Sequence, residues 1–125
     1  GRDDGVVTRS RFKALALYAK AIPRLGELVP GEVSDRARRT LERLADWQIP
    51  SEMAPDVLDW LEHDGDFAHA EDLLFELAAE EPDGPWKAWG RAFYDRLEAL
   101  SDEALAAGGL ARDEIATGRA DLEEP

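Results

Sequence analysis

The sequence predicts an all-α protein, and three observations carry that prediction. Apolar residues recur at three- and four-residue spacing through most of the 125 residues. No stretch alternates β-branched residues at the period of a strand. Proline and glycine fall between the periodic stretches, where they separate helices.

The first helix is defined by Phe12, Leu15, Ala16, Ala19 and Ile22, with Leu17, Tyr18 and Ala21 on the neighbouring face. Pro23 removes a backbone donor, so the chain kinks or stops there before Leu25, Leu28 and Val29. Pro30-Gly31 makes a turn, and Ser34 is expected to N-cap a second helix. Asp35 would face the positive end of its dipole, Ala37, Leu41 and Leu44 would be its buried stripe, and Trp47 and Ile49 would lie near its end. Pro50, Ser51 and Pro55 mark the next junction. Val57, Leu58 and Leu61 then define a third helix closed at Asp64-Gly65. A fourth begins at Asp66 or Phe67, turns Ala70, Leu73, Leu74 and Leu77 inward and ends before Pro82. So short a connection predicts an antiparallel hairpin of the third and fourth helices. Pro85 at a first helical position opens a fifth helix with Trp86, Trp89, Gly90, Phe93 and Leu97. Ser101 with Asp102 and Glu103 caps a short sixth, stopped at Gly108-Gly109. Residues 110–125 hold few large apolar side chains and are expected to form a frayed or disordered acidic tail, leaving one helical domain over 1–109.

Charge narrows the partners. Residues 1–45 carry ten Lys or Arg against six acids and residues 46–125 five against twenty-two, about +4 and −17 in a chain of net charge −13. Such an acidic surface repels nucleic acid phosphates and acidic lipid headgroups, so neither is an expected partner. The basic cluster Arg36, Arg38, Arg39 and Arg43 reads as a solvated helix face or a grip for a partner's acids. No uninterrupted apolar run approaches the roughly 18 residues of a membrane span. The absence of cysteine removes thiolate chemistry and is compatible with the expected cytoplasmic location.

Gly65, Phe67, Ala70, Leu74, Leu77 and Pro82 have the spacing of a helix-turn-helix unit, and Trp86, Trp89, Gly90 and Phe93 follow Pro82. This pattern resembles the second half of a tetratricopeptide (TPR) repeat and the first half of the next. The later half of the chain is also similar to an uncharacterised family of small bacterial TPR-like proteins. The resemblance implies antiparallel helical hairpins in a right-handed stack of about five to six helices. It departs from the repeat at Leu58, where a small residue is usual, and after Phe93, where no glycine turn follows at the usual spacing. On a TPR-like concave face, the fifth helix would present Lys87, Arg91 and Tyr94 to a partner's acids. The preceding hairpin would present Asp59 and Glu62 to basic groups. A third arrangement folds the acidic tail at Asp121, Glu123 and Glu124 back on Lys87 and Arg91.

Chemistry has few candidates. His63 and His69 flank an acidic turn, and with Asp66 they are the candidate ligands of a divalent cation. No phosphate-binding loop, dinucleotide fingerprint or nucleophile elbow is present, and no cofactor is implied. The expected function is therefore non-catalytic: a protein–protein interaction or scaffolding module taking a protein or peptide partner. Two alternatives stand beside it, a metal-dependent hydrolytic or regulatory protein using the His63/Asp66/His69 turn, and a self-associating helical oligomer such as a homodimer.

Overall fold

A computed structural model describes residues 2–44 and 49–123, and of residues 2–8 and Glu27 the backbone alone. These residues form seven α-helices, one 3₁₀ turn and no strand. In order they are α1 (Arg2–Leu25), the 3₁₀ turn (Gly26–Leu28), α2 (Gly31–Arg43), α3 (Ala54–His63), α4 (Phe67–Glu80), α5 (Trp86–Glu98), α6 (Asp102–Ala107) and α7 (Arg112–Glu123). The chain divides into two compact units, residues 1–60 and 61–125, with the boundary inside α3.

In the first unit α1 packs on α2. Leu15, Ala19 and Ile22 are buried on α1, whereas Phe12 and Ala16 are only half-buried. Pro23 lies within α1 without ending it, because the helix stops naturally two residues later. The start of α2 differs from the sequence reading. Pro30 is extended (φ −61°, ψ 144°) and its carbonyl accepts from Val33 and Ser34, so Pro30 takes the capping position and Ser34 falls inside the first turn. Ala37, Leu41 and Leu44 are buried as the periodicity requires. The predicted place of Trp47 lies outside the described residues. Arg38 stacks its guanidinium over the buried Trp60 ring at 5.6 Å. The Trp60 indole N–H makes no hydrogen bond, and neither does that of buried Trp86 in the second unit.

The second unit begins with a helix-closing turn. The Asp66 N–H donates to the Leu61 carbonyl at 2.9 Å, which needs Gly65 at φ +79°, a conformation that penalises any Cβ. The Asp66 side chain then N-caps α4 by accepting from the His69 N–H, as Ser101 caps α6 by accepting from Ala104. Phe67, Ala70, Leu73, Leu74 and Leu77 are buried along α4, and Trp86, Phe93, Tyr94 and Leu97 along α5.

α5 packs on α4 and, more extensively, on α7. The expected frayed tail is corrected here: residues 112–123 are a helix that buries Ile115, Gly118 and Leu122. Arg91 meets Glu123, Arg119 meets Asp95 at 2.9 Å, and Arg112 reaches the carbonyls of Glu98 and Leu100, so the two helices run antiparallel. Arg112 thereby supplies donors to carbonyls at the end of α5. Two glycines allow the close approach. A Cβ on Gly90 would strike Leu122 and stand 2.9 Å from Leu74 Cδ2, and one on Gly118 would strike Glu71 and stand 2.5 Å from the Tyr94 hydroxyl. At the opposite end, the Gly108 carbonyl accepts from the Ala68 N–H at 3.0 Å and ties the α6–α7 turn to the start of α4.

Candidate functional site

Of the residues named for a concave partner-binding face, Arg91, Tyr94 and Glu62 are engaged within the second unit. Arg91 forms a two-pronged pair with Glu123, whose carboxyl is held below its ordinary range by those Arg91 hydrogen bonds. Both partners are substantially exposed, so salt screens this pair readily. The arrangement is the tail fold-back onto Arg91, made by Glu123 and by a helix instead of a loose tail; Glu124 lies outside the described residues. Glu62 accepts two hydrogen bonds from Arg96 at 2.8 Å each, and Arg96 also lies over the Trp89 ring. Asp59 is exposed on α3, and Lys87 is half-buried on α5. Tyr94 is fully buried, which corrects its placement on an open face.

His63, Asp66 and His69 do not assemble a ligand set. Among the described residues no three His, Cys, Asp or Glu side chains cluster so as to hold a metal ion. Asp66 faces back to cap α4, with His69 Nδ1 3.4 Å from its other oxygen, while His63 is exposed at the end of α3. The acidic turn is used for helix capping.

What the fold creates instead is a groove between α4 and α7, the two helices that flank α5. Two adjoining hollows of about 250 and 520 Å³ share Phe75 and Asp121. Phe75, Ala78 and Ala79 of α4 and Leu122 of α7 give the groove an apolar lining. Glu71, Asp83, Asp113, Glu114 and Asp121 give it five carboxylates, against one cation, Lys87. The unit that holds the groove carries the net charge of the chain. Residues 61–125 carry five Lys or Arg against eighteen acids, the whole net −13, while residues 1–60 balance ten against ten.

At the inner edge of the groove the Tyr94 hydroxyl donates to Glu71 Oε2 at 2.7 Å, and Arg119 lies over the Tyr94 ring at 5.6 Å. Burial raises the Glu71 pKa above its ordinary 4.5; the Tyr94 hydrogen bond opposes this, and Asp72, Glu114 and Asp121 add to it. Burial and then the Glu71 contact push the Tyr94 hydroxyl well above its ordinary range, so it remains a donor. A carboxyl with a raised native pKa binds its proton more tightly folded than unfolded. Its proton-linked stability is complete below pH 4.5 and is lost as pH rises through the native value. Glu71→Gln is therefore expected to unfold at higher urea than the wild type at pH 7, the two converging below pH 4.5. Tyr94→Phe strands the carboxylate and is expected to cost about 1–2 kcal/mol at pH 7. Urea titrations across pH check both.

The sequence reading missed Glu71, Phe75, Asp113 and Glu114. A signal existed, since Ile115, Gly118 and Leu122 lie at offsets of three and seven and share one helical face. With residues 112–123 read as tail, the acids flanking that stripe had no partner helix.

A family model matches residues 19–124; its description is a family of unknown function, DUF6483. The chain belongs to this family. The DUF6483 match takes in every residue that lines the groove. No curated protein matches the chain, and no solved structure matches it.

Proposed function

We propose that this member of DUF6483 is a non-catalytic interaction module whose second unit takes a basic, apolar-faced segment of a protein in the groove between α4 and α7. The observation that carries the reading is an apolar lining and five carboxylates brought side by side in two adjoining hollows of one groove. A partner helix with leucines along one side and lysine or arginine beside them would bury its leucines on Phe75, Ala78 and Ala79. It would meet Asp113, Glu114 and Asp121 with its cations. The partner-binding face thus moves from Lys87, Arg91 and Tyr94 to the acidic side of the same unit.

The reading retains a TPR-like architecture. It is supported by the left-handed Gly65 in the turn, by Phe67, Ala70, Leu74 and Leu77 buried on α4, and by Pro82 beyond its end. It also retains a cytoplasmic setting, with which a cysteine-free chain is compatible. No helix among the described residues is long and apolar enough to cross a membrane.

A synthetic amphipathic peptide of leucine and lysine, fluorescently labelled, tests the groove. It is expected to bind the full chain and to weaken with added salt. Glu114→Lys with Asp121→Lys is expected to weaken it about tenfold or more, a loss of about 1.4 kcal/mol. Binding untouched by that double substitution would sink the assignment to this groove.

A further inference from the structure

The first unit carries a segment of the kind this groove fits. Leu17, Ala21 and Leu25 stand one turn apart on α1 and are all exposed, with Leu17 at 70% and Leu25 at 51%, and Leu28 follows at 81% in the 3₁₀ turn. Leu15, Ala19 and Ile22 already bury the other side of the same helix. Lys13, Lys20 and Arg24 are exposed and lie within about 60° of Leu17 around the helix axis at 100° per residue, alongside the leucine stripe. From Gly5 to Leu25 the helix holds Arg9, Arg11, Lys13, Lys20 and Arg24 and no acid. The lengths also agree. Leu17 to Leu25 rises about 12 Å along α1, as does Glu71 to Ala79 along the groove wall.

We infer that α1 of one copy of this chain seats in the α4–α7 groove of a second copy, Leu17 and Leu25 against Phe75, Ala78 and Ala79, Lys20 and Arg24 against Glu114 and Asp121. The inference rests on the groove being the interaction site proposed above and names its occupant. Charge complementarity selects the second copy: a stretch of α1, residues 5–25, with five cations and no acid meets a groove of five carboxylates with one cation. Two α1 stripes facing each other would oppose like charges, which excludes the symmetric α1 pair. Each copy carries both halves of the contact, so assembly is head to tail or reciprocal.

The test is light scattering on the full chain across a series of concentrations and salts. Mass is expected to rise with concentration to at least that of a dimer and to fall in roughly 1 M salt, where screening is nearly complete. Lys20→Glu with Arg24→Glu, and separately Glu114→Lys with Asp121→Lys, are each expected to weaken association about tenfold or more while circular dichroism stays unchanged. An equimolar mixture of the two variants is expected to restore it, because each supplies the half that matches the other. A wild-type chain that is monomeric throughout overturns the inference. So does association that both variants retain, a mixture that stays monomeric, or a monomer that binds phosphatidylserine vesicles through Lys20 and Arg24. A monomeric chain that still binds the leucine-lysine peptide overturns only the second copy as occupant; failure to bind that peptide removes the groove itself.

Discussion

Deletion of residues 110–125 is expected to unfold the second unit. Leu110, Ile115 and Leu122 are each at most 3% exposed. Burying each contributes about 1.5–3 kcal/mol, roughly 5–9 kcal/mol together. The total stability of a domain is about 5–15 kcal/mol, so that loss is comparable to the whole. The deletion also uncovers the face of Gly90, Leu74 and Tyr94 that α7 covers. Amide hydrogen exchange over residues 67–98 of the shortened chain measures the effect, and protection there is expected to collapse. Retained protection would mean that α7 is a dispensable appendage. Gly90→Val asks the same question at full length. Its side chain must displace Leu122 and Leu74, and overpacking of this kind costs about 1–3 kcal/mol.

Gly108→Ala is expected to destabilise the same unit by about 2–4 kcal/mol. Gly108 has an ordinary φ of −85°, so backbone strain is not the cause. A Cβ there would strike the ring of Phe67 and stand 2.6 Å from the Gly65 carbonyl oxygen. Phe67 is buried, and a backbone oxygen in a tight turn has little room to retreat. Relief requires the α6–α7 turn to lift, which breaks the bond from Ala68 to the Gly108 carbonyl as well. Gly31→Ala is the control. A Cβ at that helical position meets nothing within 4 Å, so the substitution is expected to be neutral or stabilising by about 0.4–1 kcal/mol. Urea midpoints of the two variants compare them directly, and equal midpoints would refute the packing argument.

These two cases explain which parts of the fold could be read from the sequence. α3, α4, α5 and α6 follow from strong local signals: leucines and aromatics at helical spacing, Ser101 as a cap, Gly65 and Gly109 where a helix closes. α7 has little of the bulk that periodicity detects, with Ile115 and Leu122 alone as large side chains on its buried face. It adheres also through what is missing from Gly90 and Gly118 and through three arginines, and neither of these registers as hydrophobic pattern. The start of α2 was misread because Ser34 is a good capping residue in isolation, while Pro30 already supplied the extended backbone and the accepting carbonyl. The surroundings of Arg91 and Tyr94 were illegible for a related reason. Arg91 and Tyr94 were read as outward-facing from the fifth helix alone, and the helix that engages them was not recognised. Glu71 and Phe75 border a groove only once α7 stands opposite them.

The two solitary indoles give the molecule an internal gauge. Trp60 in residues 1–60 and Trp86 in residues 61–125 are both shielded from water, and neither N–H has an acceptor to relax toward. Emission from an indole in such surroundings lies to the blue and shifts red when water arrives. A chain that keeps only Trp60, or only Trp86, of its four tryptophans would therefore report the melting of that half without a dye.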